Sequence, residues 1–277
     1  KFPRRLREIN DPPKKLYVNG ELPPEDYKWL CVGGARKYTP YGKSVCENLI
    51  AGLAGLPVVI VSGLALGTDT IAHRAALSAG LQTVGVPGSG LGLAVLYPSS
   101  SRELADEILR AGGALVSEFE PNFKATQWSF PQRNRIMAGL SDAVLVIEAE
   151  LKSGTLITSR LATEYNRDVF AVPGSIFSAT SEGPHMLIRK GAAAVSSAAA
   201  LREALGFTET ATRQLTLDDL TNCSPEEKQI LEILKTPMGR EELADSVEMP
   251  FSKLNSVLSV LEIKGLIKEE MGEIRRT

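Results

Sequence analysis

Short apolar runs recur along the first two thirds of the chain, at Trp29–Val32, Val58–Val61, Thr83–Val86, Ala114–Ser117, Ala143–Glu148 and Val169–Val172. Most are bounded by Gly or Pro, and stretches with helical spacing such as Tyr41–Leu56 and Thr68–Ala79 lie between them. Near-continuous apolar strands alternating with helices describe a parallel sheet covered on both faces. The pattern therefore predicts an α/β fold, a Rossmann-like doubly wound and mostly parallel sheet, with its ligand at the carboxyl ends of the strands. Residues 208–224 are polar and Thr-rich without a helical stripe, and read as a linker. Beyond them Pro225–Leu234, Gly239–Val247 and Phe251–Lys264 carry amphipathic helical patterns. Strand-like Leu266–Glu269 and Glu273–Arg275 follow, around Met271-Gly272. Three helices and a hairpin in this space predict a small C-terminal winged-helix domain. The expected organisation is a lead-in over 1–24, a Rossmann-like domain over 25–207, a linker over 208–224 and a winged helix over 225–277.

Composition narrows the class. With 277 residues, 43% hydrophobic and 23% charged, the chain is neither disordered, collagen-like nor disulfide-rich. No apolar run approaches the ~18 residues of a membrane-spanning helix. The basic, Pro-rich start KFPRRLREINDPPKK lacks the apolar core of a secretion signal. No membrane partner is expected, and the location expected is cytoplasmic. Cys31, Cys46 and Cys223 show no CxxC spacing and read as reduced thiols. His73 and His185 stand far apart, so neither a metal nor a cofactor is expected. The net charge of −2 hides an asymmetry: residues 216–277 hold 8 basic and 13 acidic side chains, or −5, which leaves +3 for residues 1–215.

The segments after the predicted strands are GGARKYTPYG, SGLALGTD, PGSGLG, SEFEPNFKATQW, EAELKSGTLIT and PGS. One such loop is ordinary βα-turn chemistry; several on one edge make an anion-binding rim, where small residues admit backbone N–H groups and helix starts add their dipoles. Two nucleotide motifs fail on inspection. Gly42-Lys43-Ser44 has Lys37 where a P-loop needs its first Gly, and Gly88-Ser89-Gly90 has Leu93 where a dinucleotide loop needs its last. Ser62, Asp69 and His73 make no recognisable triad, and Glu118, Glu120, Glu148 and Glu150 serve equally as caps or partners of Arg133 and Arg135. The positive candidates are Arg36-Lys37 after the first run, Arg133-Asn134-Arg135 at a helix start, and Lys152-Ser153 before another. Guanidinium forks and helix-start amides suit phosphate. Phe123, Trp128 and Phe130 interleave with Lys124, as aromatics do beside a cationic groove that takes unpaired bases. Each of these aromatics could equally lid the core.

These blocks carry a resemblance. GARKYTPYG, VSGLALGTDTIAH, GSGLGLAVLYP, SEF, FPQRNRIMAGLSDAVLVIEAELKSGTLIT, RDVFAVPG and GPHMLIRKGA occur in order across roughly residues 10–200 and resemble the DNA-processing protein A (DprA/Smf) family. The resemblance implies a non-enzymatic, dimeric protein of natural transformation that binds and protects single-stranded DNA and helps load the recombinase RecA. It implies a DNA groove lined by Arg36, Ser62, Gly63, Arg133, Asn134, Arg135, Lys152 and Ser153. It also implies a homodimer through the segment around Leu156–Ala193, with Met186, Leu187 and Ile188 as contacts, though the same residues could be core. Ala35 and Leu66 stand where the family often has Ser and a cation, which removes a hydroxyl and a positive contact. The acidic C-terminal domain, with Lys253 and Lys264 as the only cations of its third helix, is expected to contact protein or the other domain rather than duplex DNA. Two alternatives stay open: a nucleotide-binding or nucleotide-hydrolysing Rossmann enzyme of the lysine-decarboxylase-like group, and a winged-helix regulator with a ligand-sensing Rossmann domain.

Overall fold

A computed structural model describes residues 2–207, 223–234, 238–247, 249–270 and 273–276. The chain separates into two compact units, Lys1–Glu209 and Thr210–Thr277. The strands of the first are β1 (Tyr17–Gly20), β2 (Lys28–Gly33), β3 (Val58–Ser62), β4 (Gln82–Gly85), β5 (Ala114–Ser117), β6 (Ala143–Val146), β7 (Asp168–Ala171) and β8 (Ala193–Ala194). Its helices are α1 (Arg4–Arg7), α2 (Pro40–Ala51), α3 (Thr68–Ser78), α4 (Arg102–Arg110), α5 (Ser129–Leu140), α6 (Thr155–Glu164), α7 (Glu182–Arg189) and α8 (Ala198–Ala204). The sheet order is β1-β5-β4-β3-β2-β6-β7-β8, parallel except where β1 meets β5. This is the doubly wound Rossmann-like sheet that the apolar runs predict.

Side-chain alternation along each strand divides the core. Trp29 and Cys31 of β2 point to one face with Ile136, Met137 and Ala162 of α5 and α6. Leu30 and Val32 point to the other with Cys46, Leu49, Ile71 and Ala76 of α2 and α3. Because both faces are covered, β2, β3, β5 and β6 are apolar at nearly every position, which is why they read as runs. The three cysteines are buried free thiols, and burial pushes Cys46 up to about 12.

The segment over 1–24, expected as a lead-in, is instead built into this unit. Leu6 and Ile9 are buried against α5 beside Gly139. Arg5 donates to both Asp142 oxygens at 2.8 and 2.9 Å and to the carbonyls of Glu25 and Tyr27. A four-residue helix and the polar strand YVNG give no periodic signal, so pattern reading passes over them.

The second unit contains α9 (Pro225–Ile233), β9 (Met238–Gly239), α10 (Arg240–Ser246), α11 (Phe251–Ile263), β10 (Ile267–Glu270) and β11 (Glu273–Arg276), with an antiparallel sheet ordered β10-β11-β9. The three helices and the strands β10 and β11 fall where the sequence places them; the two-residue β9 is additional. Ser224 and Glu227 form a capping box at the start of α9, as two orphan helix amides require. Lys253 pairs with Glu226 at 2.9 Å and Lys264 with Glu227 at 2.7 Å, so both expected cations of α11 are held inside the unit. The expected linker over 208–222 and the turn Met271-Gly272 lie outside the described residues. Among the described residues no helix is long and apolar enough to cross a membrane.

Candidate functional site

β2 lies between β3 and β6: the chain winds outward from β2 through β3, β4 and β5, then returns to start again at β6. At such a switch point the two following loops diverge and leave a crevice at the carboxyl ends of the strands. A cavity of about 410 Å³ occupies this crevice. Gly33 lines it from the end of β2, Gly34 and Arg36 from the loop that follows, Leu66 from the β3–α3 loop, Asp69 from the first turn of α3, Phe130, Arg133 and Asn134 from α5, and Ser153, Gly154 and Thr155 from the start of α6.

Arg133 is only 6% exposed. Its Nη1 donates to the carbonyls of Gly63, at 2.5 Å, and Val86, and its Nε donates to Asn134 Oδ1 at 3.2 Å. A Cβ at Gly63 would strike this guanidinium, so a side chain there would displace it. The Asp69 carboxylate, close by, accepts from the backbone N–H groups of Gly63 and Ala65 at 3.1 and 3.2 Å. Burial pushes the Asp69 carboxyl up, while Arg133 and the two amides pull it down. The guanidinium stays charged although burial lowers its pKa, since Asp69 opposes that shift. Between these groups Leu64 adopts a left-handed φ of 58°, held by burial of its side chain with Leu96, Leu104 and Ile108.

The remaining walls are tied to one another. Thr155 Oγ1 donates to the Gly34 carbonyl at 3.0 Å, Thr68 Oγ1 to the Ala35 carbonyl at 3.1 Å, and Asn134 Nδ2 to the Gly154 carbonyl at 3.2 Å. A Cβ at Gly34 would overlap the Thr68 hydroxyl, so only glycine lets β2 approach α3 here. Arg36 is exposed at the mouth, its guanidinium 5.6 Å above the Phe130 ring, which in turn packs against Tyr97 at 5.7 Å. The result is one buried cation, one exposed cation on an aromatic ring, and a helix start, all facing a single crevice.

Of the expected groove residues, the structure brings Arg36, Arg133, Asn134 and Ser153 to the cavity. Ser62 is buried, with its hydroxyl donating to the Val32 carbonyl at 2.7 Å, and Gly63 lines a small cavity of about 40 Å³ with Arg36, Leu66, Phe130 and Arg133. Arg135 is two residues beyond Arg133, about 200° further round the helix. It pairs with Glu118, donates to the Asp11 carbonyl at 2.5 Å, and lines a separate groove with Lys14 and Lys15. Lys37, Lys124 and Lys152 are exposed and line no part of the cavity. Phe123 stacks on Phe119 at 4.5 Å and meets Trp128 edge-on, so these rings form their own cluster in the 119–130 loop, with Trp128 56% exposed. That loop is pinned to the one after β4 by Gly90 N–H to the Phe123 carbonyl and Ser129 Oγ to the Gly88 carbonyl. In α7, Leu187 is buried in the core and Met186 and Ile188 are partly buried against it.

Asp69 is a cavity-lining residue that motif reading sets aside as a failed triad member. Its signal was its place in the first helical turn after a Gly-rich loop, where a carboxylate holds loop amides. His73 is buried, with Nδ1 2.7 Å from Thr83 Oγ1, and burial pushes the ring down to about 3. The Glu148 carboxylate accepts from the Thr39 N–H and from the hydroxyls of Thr39 and Thr180, and faces a different cavity. Among the described residues no group of three or more His, Cys, Asp or Glu is placed to hold a metal ion.

Comparison with known proteins agrees with this architecture. The chain is 43% identical over 206 residues to Protein Smf of Escherichia coli, covering 74% of this chain and 54% of that protein. It is 40% identical over 205 residues to the DNA processing protein DprA of Bacillus subtilis, covering 74% and 68%. The chain thus spans about half the length of the E. coli relative. The X-ray structure of DNA processing protein A from Streptococcus pneumoniae superposes with a TM-score of 0.67 at 41% identity, covering 73% of this chain and 70% of that one. DNA processing protein A of Helicobacter pylori, whose structure addresses its single-stranded DNA binding mode, superposes with a TM-score of 0.65 at 33% identity, covering 74% and 93%. The family model for DNA recombination-mediator protein A matches residues 1–206, so the sheet, the crevice and the loops that line it all lie inside the match, and the chain belongs to the DprA/Smf family.

Proposed function

We propose that this protein binds single-stranded DNA in the crevice at the switch point, acting in DNA processing during transformation and recombination, without catalysis. The observation that carries the reading is the juxtaposition of buried Arg133, exposed Arg36 on Phe130, and the α6 start in one cavity. A phosphate there meets a guanidinium already desolvated and held by carbonyls, a second in solvent, and the positive end of the α6 dipole. The Phe130 and Tyr97 rings beside it offer faces to unpaired bases, which a duplex keeps stacked inside. Relatives named DNA processing protein DprA, and the H. pylori structure with its single-stranded DNA mode, support the same reading. Family resemblance extends it to protection of incoming strands, delivery to RecA in the cytoplasm, and a homodimer in which Met186 and Ile188, partly exposed on α7, contribute contacts around buried Leu187.

The crevice is also large enough for a nucleotide. The acid that a nucleotide-cleaving enzyme would need beside it is not supplied by Glu148, whose carboxylate is committed to Thr39 and Thr180 outside the crevice. The deciding experiment is fluorescence anisotropy with a labelled strand of about 30 nucleotides, across salt, with the same duplex as competitor. Tight, salt-sensitive binding that prefers the single strand is expected. Equal binding of duplex, or no binding, would overturn the reading, and release of free base from AMP would favour the enzyme.

A further inference from the structure

The crevice carries an anion of its own. Among the described residues, Arg36, Asp69 and Arg133 are the charged side chains that line it, so two guanidinium groups and one carboxylate leave the wall a net charge of +1. Asp69 is 8% exposed and Arg133 6%, so this balance is set largely out of water. The loop amides of Gly63 and Ala65 both donate to one Asp69 oxygen, Oδ2, which favours the ionised carboxylate. A Cβ at Gly63 would strike this oxygen as well as the Arg133 guanidinium, so the two groups converge on one part of the wall. Arg133 donates to protein acceptors through Nη1 and Nε, and among the described residues its Nη2 makes no hydrogen bond. With Arg36, this leaves two cationic ends for a ligand. At about 410 Å³ the crevice stands near the lower end of small-ligand sites, so it holds one linkage of a strand rather than a run of them.

We propose that Asp69 makes the crevice selective for the singly charged phosphodiester of a strand interior over the doubly charged phosphate of a free nucleotide or a strand end. The inference rests on the single-strand reading of the crevice and deepens it by naming the linkage recognised. Coulomb attraction to a wall of fixed charge grows in proportion to the charge of the ligand, whereas the cost of desolvating that ligand grows as its square. A diester of charge −1 is neutralised by a wall of net charge +1. A terminal phosphate carries about −1.5 to −2 near neutral pH and brings an excess out of water. Its third nonbridging oxygen also meets no third cation among the described side chains that line the crevice. Asp69 is thus a specificity-determining residue, since without its charge the wall suits a dianion.

The full chain tests this by displacement of the same labelled strand of about 30 nucleotides. The competitors are thymidine 5′-monophosphate and its phosphate methyl ester, which differ by one charge at about pH 8. The ester is expected to displace the strand from the wild type at about tenfold lower concentration than the monophosphate. Asp69→Asn keeps an acceptor for the loop amides and removes the charge. It is expected to bind the monophosphate about tenfold more tightly than the wild type does, with a smaller gain for the ester. Loss of a purely structural residue would weaken both. Equal displacement by the two compounds in the wild type, or displacement by neither, would overturn the inference and leave the crevice reading intact, and this arm needs no variant. Unchanged or weaker monophosphate binding by Asp69→Asn with a wild-type urea midpoint would overturn it as well. A wild-type chain that binds no strand overturns both readings.

Discussion

Arg36 and Arg133 face one crevice in opposite states. Arg36 rests on an aromatic ring in solvent, so Arg36→Ala removes the proposed phosphate contact and little else. Affinity for single strands is expected to fall about tenfold, from a loss of roughly 1–3 kcal/mol, with urea stability unchanged. Arg133 satisfies the Gly63 and Val86 carbonyls and faces Asp69, so Arg133→Ala removes a donor from two buried carbonyls and the opposite charge from a buried carboxylate. It is expected to lose both binding and roughly 2–4 kcal/mol of stability in urea melts. His73 is held neutral by burial, down to about 3. Its folded pKa lies below the unfolded value, so the unfolded chain takes up the proton first. Stability from this residue is therefore full above about pH 6.5 and declines as pH falls from there toward 3. Its NMR imidazole signal is expected not to titrate between about pH 7.5 and 5, and a midpoint near 6.5 would place the ring in water.

At the scale of elements, the strands with two apolar faces and the long amphipathic helices were legible, since burial on both sides leaves an unbroken run. β1 and β8 were not. A four-residue edge strand with one half-buried position and a two-residue strand hold too few side chains to show any period. α1 is short for the same reason, yet Leu6 is completely buried under α5. Leu6→Ala is expected to cost about 2–5 kcal/mol, which a urea midpoint measures; a cost under about 1 kcal/mol would mean the segment is loosely held. Of the crevice, the loops that line it were legible from their small residues and cations. Which cation enters it was not: Arg133 and Arg135 are identical in type and two positions apart, and only helix rotation separates them.

For the whole molecule, charge divides as the sequence indicates: −5 over 216–277 and +3 before it. Lys253 and Lys264, the cations expected on the third helix, are held by Glu226 and Glu227 and not by a phosphate backbone. Removing residues 223–277 is expected to leave the slope of log affinity against log salt for single strands unchanged, because that slope counts phosphates neutralised. A slope reduced by one or more would give the winged helix a direct part in binding.

The amino-acid sequence alone determined the parallel sheet, the winged-helix pattern, the Gly-rich carboxyl edge and the family blocks, because each depends on period or spacing along the chain. The tertiary structure decided the inclusion of the lead-in, the burial of Arg133 and Ser62, the pairing of Arg135 with Glu118, the stacking of Phe123 on Phe119, and the hydrogen bonds of Asp69 to two loop amides. Those outcomes depend on which side chains meet across strands far apart in sequence. Hydrogen-bond geometry and desolvation act through space, so residue type alone does not say whether a guanidinium faces a ligand or a neighbouring carboxylate.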